Sequence, residues 1–211
     1  MPRGTPVDGD TATFLRAILT RPHQVGAIAP SSIRLARVAA AQLPDPTHSP
    51  SLGAGSTVVE LGPGGGVITD QLHARLAGHG RLFAVEINPT MAAHLRASRP
   101  WLHVIQGDAT HLTELLAEHG VHQVDAVISA LPWSVFDAHK QHTVVDQISR
   151  VLHPDGLFAS VVTCAAVPLP GARRLRRILP EVFGNVVRSR VVLRNLPPAF
   201  WLLCRKPTGH D

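Results

Sequence analysis

This sequence predicts an α/β fold: a mostly parallel, seven-stranded sheet closed by an antiparallel C-terminal hairpin strand, with a helical extension before it. Three observations lead there. From Thr57 onward, short β-branched runs alternate with helical patterns, the signature of βαβ units. Near the end, two strand-like runs follow each other too closely for a parallel return, which needs a crossover of a dozen or more residues, so they must pair antiparallel. Ahead of the alternation, the stretch PDPTHSPSLGAG is rich in Pro, Ser and Gly and reads as a linker. It divides a helical extension, residues 1–50, from the main domain, residues 51–211.

Each element has a local reason. Residues 11–21 place Phe14, Leu15, Ile18 and Leu19 at helical spacing, and Pro22 stops that helix. A second helix is expected over residues 31–43, opened by Ser31 and Ser32, which supply N-cap oxygens. In the main domain the runs TVVEL, RLFAVEI, LHVIQ, VDAVISA and LFASVVT read as strands. Helices are expected after the first run to about Ala77, from Asn88-Pro89, over residues 112–118, and up to Val151. ARRLRRIL forms a further helix, and VVRSRVVLR and AFWLLCR form the closing hairpin.

The chain has 211 residues, 45% apolar and 17% charged, a composition that fits one globular domain without disulfides or metals. Cys164 and Cys204 form no C-x-x-C pair, consistent with a reducing compartment. The start, MPRGTPVDGD, lacks the apolar core of a secretory signal. The apolar run at residues 157–169 is well short of the ~20 residues a spanning helix needs. Net charge is +5, which calls for an anionic partner, either nucleic acid or an anionic bilayer. The 13 histidines show no metal-ligand spacing, so no metal is expected.

The segment Val58-Val59-Glu60-Leu61-Gly62-Pro63-Gly64-Gly65-Gly66 runs from a strand into a glycine turn and then a helix. Glycine lets the backbone pass closely under a ligand. Its G-x-G-x-G spacing differs from the G-x-G-x-x-G of dinucleotide binders. The upstream Glu60 would repel a pyrophosphate but suits the amino group of a methionine moiety. The motif therefore favours S-adenosylmethionine (SAM). Glu86 at the second strand end is placed for ribose hydroxyls, and Asp108 after the third for an adenine amino group. Gln24, Gly62, Gly64, Gly66, Ile87 and Ala109 complete the candidate cofactor set.

The order ELGPGGG, AVEINP, GDA and SALPW resembles class I methyltransferases of the branch containing rRNA adenine dimethylases and bacterial phospholipid N-methyltransferases. The fold this implies is Rossmann-like. The flanks, FLR…RPHQVGAIAPSS and RNLPPAF, resemble the terminal signatures of the soluble phospholipid N-methyltransferases, so the likeness spans about residues 14–205. It implies methylation of phosphatidylethanolamine, through mono- and dimethyl forms, to phosphatidylcholine. Adenine dimethylases carry an N-L-P-Y type motif where this chain has Ala130-Leu131-Pro132-Trp133. Without the Asn amide, the acceptors left for an amine are Ser129 and the Leu131 carbonyl, and Trp133 offers either a cation–π face or a core residue.

The lipid phosphate is expected at Arg194 or at the helix start formed by Ser31 and Ser32, with Asn195 closing the site or shaping the turn. Membrane contact is assigned to Phe14, Leu15 and Ile18, and to Arg173, Arg174, Arg176 and Arg177 beside an apolar face of Leu175, Ile178 and Leu179. The first helix serves equally as a lid over the SAM site. These assignments describe a monomeric cytoplasmic enzyme, peripheral on the inner face of the cytoplasmic membrane. RNA adenine methylation ranks second, since 4% aromatic content and the absence of Tyr leave little surface for stacking bases. A non-catalytic SAM- or RNA-binding protein ranks third.

Overall fold

A computed structural model of the chain describes residues 31–43 and 55–207. Among them the element order is α1 (Ile33–Ala40), β1 (Ser56–Leu61), α2 (Val67–Leu76), β2 (Gly80–Glu86), α3 (Pro89–Ser98), β3 (His103–Gln106) and α4 (Leu112–Ala117). There follow β4 (Val124–Ser129), α5 (Ala138–Val151), β5 (Leu152–Thr163), α6 (Pro170–Val182), β6 (Phe183–Arg188) and β7 (Ala199–Pro207). The sheet order is β3-β2-β1-β4-β5-β7-β6. The first five strands in that order run parallel, and β7 pairs antiparallel with both β5 and β6. The predicted class and the antiparallel closure are both present.

Helix starts follow the capping chemistry of the sequence. Ser32 Oγ accepts the Leu35 N–H at 3.2 Å, and Asn88 Oδ1 accepts those of Thr90 and Met91 at 2.9 and 3.1 Å. Each satisfies orphan donors of a first turn. β1 is buried along its whole length, as a central strand covered on both faces must be.

Two apolar layers sandwich the sheet. One joins Val59, Phe83, Ile148 and Phe158 to Leu175, Ile178 and Leu179 of α6. The other joins Leu72, Leu95 and Trp201 to Leu35, Ala36 and Ala39 of α1. Helix α1 is thus part of the core of the main domain, fastened by Trp201 Nε1, which donates to Leu35 O at 3.1 Å. The boundary expected at residues 50/51 and the expected helix bearing Phe14, Leu15 and Ile18 lie outside the described residues.

Two expectations are corrected here. The run VVRSRVVLR is not one strand: β6 ends at Arg188, after which only Val192 makes a lone bridge to Ala199. At Ser189 the Oγ takes the Trp201 N–H at 2.9 Å while the Ser189 N–H donates to Trp201 O at 2.8 Å. The apolar face of α6 does not face outward, since Leu175, Ile178 and Leu179 are buried. Arg173, Arg176 and Arg177 are exposed and Arg174 is half-buried. Its guanidinium donates to Phe136 O at 3.3 Å.

Because Leu179 is fully buried, Leu179→Ala should lower unfolding free energy by about 2–5 kcal/mol, the usual range for such truncations. Urea titration checks this. A loss under about 0.5 kcal/mol, the surface range, would mean that α6 does not pack as described.

Candidate active site

The parallel register brings the ends of β1, β2 and β4 to one level. Leu61 is opposite Val85 on one side and Ser129 on the other. The ladder continues one step past the strands, with Gly62 N–H donating to Val85 O (3.0 Å), Ala130 N–H to Leu61 O (2.9 Å) and Gly107 N–H to Glu86 O (3.1 Å). The turns after β1, β2 and β4 therefore leave the sheet side by side, at the carboxyl edge where open α/β sheets bind ligands.

The glycine turn needs its glycines. Gly62, Gly64 and Gly66 have φ of 70°, 53° and 81°, left-handed values that side chains disfavour. A Cβ on Gly64 would meet nothing within 4 Å, so the backbone there faces open space. One on Gly62 would come within 3.1 Å of Leu131 Cδ2, which places Leu131, after β4, directly over the turn.

Glu60 is fully buried. Its Oε2 accepts the Thr69 hydroxyl at 2.6 Å, while Oε1 has no partner. Burial pushes this carboxyl up to about 7, with the Thr69 hydrogen bond and the charge of Arg99 opposing. A buried acceptor without a donor is costly, and a cationic amino group would supply that donor. Glu86, also buried, accepts the Asn88 N–H at 2.9 Å. Burial raises its pKa despite the opposing effect of the backbone N–H groups near it. Ile87, next in sequence, leaves an apolar side chain 38% exposed at the edge. Asp108 caps the turn after β3 by accepting the Thr110 N–H at 3.0 Å, and its other oxygen accepts Lys140 Nζ at 2.8 Å. Burial alone would raise its pKa, but Lys140 and Thr110 hold it below the usual carboxylate range. Ala109 is buried beside it.

An open turn at positive φ, an orphaned buried carboxylate oxygen and a second carboxylate at the next strand end fit SAM. Residues 58–156 match the family model described as methyltransferase domain. An ornithine lipid N-methyltransferase of Singulisphaera acidiphila is 32% identical over 199 residues, spanning 93% of this chain and 96% of that protein. The chain belongs to the class I SAM-dependent methyltransferases. A ribosomal RNA small subunit methyltransferase A of a Burkholderia species is 28% identical over 142 residues, 67% of this chain but 50% of that protein. Among solved structures, human methyltransferase-like protein 13 in complex with SAH superposes with a TM-score of 0.60 at 19% identity, covering 83% of this chain and 81% of that one. That likeness is one of fold.

The remaining expected residues of the methyltransferase divide into two groups. Ser129 is fully buried and its Oγ accepts both the Leu131 N–H (3.3 Å) and Trp133 Nε1 (3.1 Å). Trp133, 3% exposed, packs against Phe136 and Phe158 with steeply inclined rings, a core role. The Leu131 carbonyl accepts the Trp133 N–H at 2.9 Å and retains a second lone pair. Beside it an apolar hollow is lined by Leu131, Trp133, Val161, Thr163 and Leu175, among others.

The two flanking motifs meet: Ser32 N–H donates to Asn195 Oδ1 at 2.8 Å, and Asn195 Nδ2 donates to Pro197 O at 2.7 Å. With Ser32 Oγ capping α1, both residues form a clasp that joins the start of α1 to the loop before β7. Ser31 is half-buried beside the clasp and Arg194 is exposed. Gln24 lies outside the described residues.

Sequence reasoning missed three residues. Arg99 grips Asp70 through two bonds of 2.7 and 2.8 Å and donates to Gly65 O and Gly66 O at 3.2 and 3.4 Å, bracing the glycine turn from behind. Lys140 holds Asp108. Gln141, fully buried, donates to Trp133 O (2.6 Å) and Gly171 O (2.9 Å), clipping α6 to the turn after β4.

Glu60 also sets a pH dependence. Its folded pKa of about 7 exceeds the ordinary 4.5, so the native state binds more protons and stability falls as pH rises between those values. The loss amounts to about 3 kcal/mol at most. Glu60→Gln should remove that decline, so that parent and variant unfolding curves diverge from pH 5 to pH 8. Parallel pH profiles would show that Glu60 does not titrate in this window.

Proposed function

We propose that this methyltransferase transfers methyl groups to the amine of an aminolipid at a membrane surface. The observation that carries the reading is similarity to a lipid N-methyltransferase over 93% of this chain and 96% of that protein, which reaches well beyond the cofactor core. Phosphatidylethanolamine with its mono- and dimethyl forms, and ornithine lipid, share what such a site must read: an amine on an amphiphile. The apolar lining of the hollow beside the glycine turn suits an uncharged amine stripped of water.

When bound, SAM supplies an already activated methyl group. Glu60 and Glu86 would hold its amino and ribose ends, the glycine turn would let it approach the backbone, and Ile87 would lie against the adenine. The amine must reach the site neutral. Among the described residues, those lining the hollow include no histidine or carboxylate, and in this reading the ammonium gives its proton to solvent before alignment. The Leu131 carbonyl, just past β4, would accept an N–H bond that remains on the amine. Water exclusion and alignment then account for the rate.

Transfer to rRNA adenine is the second reading, favoured by the +5 charge and by the similarity to the Burkholderia rRNA enzyme. Ala130, 8% exposed at the end of β4, offers no amide to an adenine amine. With methyl-labelled SAM, label should enter the lipid phase of vesicles containing phosphatidylethanolamine or ornithine lipid, and not small-subunit rRNA. The initial rate should climb with pH from 7 toward 9, because the ammonium has a pKa near ~10. Label in rRNA with none in either vesicle type would reverse the assignment.

A further inference from the structure

The carboxyl edge of the sheet leaves large apolar side chains in solvent. The connection from β6 to β7 carries Leu193 and Leu196, 76% and 82% exposed, and Ile33, 55% exposed, opens α1 next to it through the Ser32–Asn195 clasp. Arg190 and Arg194 stand exposed in the same connection. No acidic residue occurs between Glu181 and Asp211.

The connection is ordered. Ser189 N–H donates to Trp201 O at 2.8 Å, Val192 N–H to Ala199 O at 2.7 Å, and Cys164 N–H reaches Pro198 O at 2.7 Å. The last bond ties the connection to the end of β5, on the same edge as the glycine turn. The leucines are therefore held out by a fixed backbone, where hydration opposes their exposure and nothing among the described residues covers them.

We propose that the β6–β7 connection docks the enzyme on an anionic bilayer, Leu193, Leu196 and Ile33 entering the acyl boundary while Arg190 and Arg194 meet lipid phosphates. Apolar tips ringed by guanidinium groups, in a segment free of carboxylates, complement an anionic interface in both charge and polarity. An RNA backbone would engage the arginines and leave the leucines wet. Helix α6 offers only its arginines, because its apolar face is buried. The location rests on the aminolipid reading for its purpose: docking by this edge brings headgroups to the hollow beside the glycine turn.

The test is cosedimentation of the full chain with vesicles of phosphatidylglycerol and phosphatidylcholine, which contain no methyl acceptor and so report docking apart from turnover. Leu193→Asp with Leu196→Asp should weaken binding at least tenfold. Arg190→Gln with Arg194→Gln should weaken it on phosphatidylglycerol vesicles and more so at low salt. SAM affinity should match the parent in both variants, reporting an intact fold, since all four side chains are exposed. Parent-like vesicle binding by the aspartate variant overturns the proposal, as does failure of the parent to bind these vesicles. Vesicle binding without methylation of any aminolipid would instead retire the substrate reading and leave the docking element standing.

Discussion

The site depends on the level ending of three parallel strands. Main-chain bonds from Gly62 to Val85 and from Ala130 to Leu61 lock the turns after β1, β2 and β4 at one height, so that the open glycine turn, Glu86 and Leu131 face a common space. A register shift by one residue would turn Glu60 to the other face of the sheet and bury a different side chain under α2. Burial of β1 on both faces makes such a shift prohibitive. The cofactor edge is thus a consequence of core packing.

That edge concentrates polar groups that are expensive to bury. Glu60 lies fully inside with one oxygen unpartnered, and the buried Glu86 accepts the Asn88 N–H. Arg99 and Asp70 hold the back of the glycine turn by a two-bonded ion pair, stronger and more directional than a lysine contact would be. The arrangement keeps the turn rigid while its ligand side stays open, so cofactor binding need not pay for ordering the backbone.

Much of this was legible in the sequence because the signals are local. Alternation of β-branched and helical runs predicts the sheet, and Ser32 and Asn88 act as the N-caps their types suggest. Glycines at Gly62, Gly64 and Gly66 mark the turn because few other residues accept its dihedrals. What escaped is tertiary. Arg99, Lys140 and Gln141 act on partners far away in sequence, and nothing near them announces it. The i, i+3, i+4 face of Leu175, Ile178 and Leu179 is the same pattern whether it meets a core or a bilayer, and here it meets the core. Likewise the alternation of VVRSRVVLR continues past Arg188, but regular pairing ends there: Ser189 still bonds Trp201 through its N–H and its Oγ, and beyond it Val192 makes a lone bridge to Ala199. The residues that follow leave Leu193 and Leu196 in solvent. Ser129, expected to accept from an amine, instead accepts the Trp133 indole N–H, and of the two roles open to Trp133 the core one is present.

The central claim is that the cofactor lies across the carboxyl ends of β1 and β2, between the glycine turn and Glu86. A crystal structure with bound S-adenosylhomocysteine tests it directly. The account predicts ribose hydroxyls within hydrogen-bond distance, about 2.6–3.2 Å, of the Glu86 carboxylate, the amino group bonded to Glu60 Oε1, and the ligand lying over Gly64 without displacing it. Product bound at another edge of the sheet, or seated here with Glu86 untouched and Glu60 Oε1 still unpartnered, would contradict it.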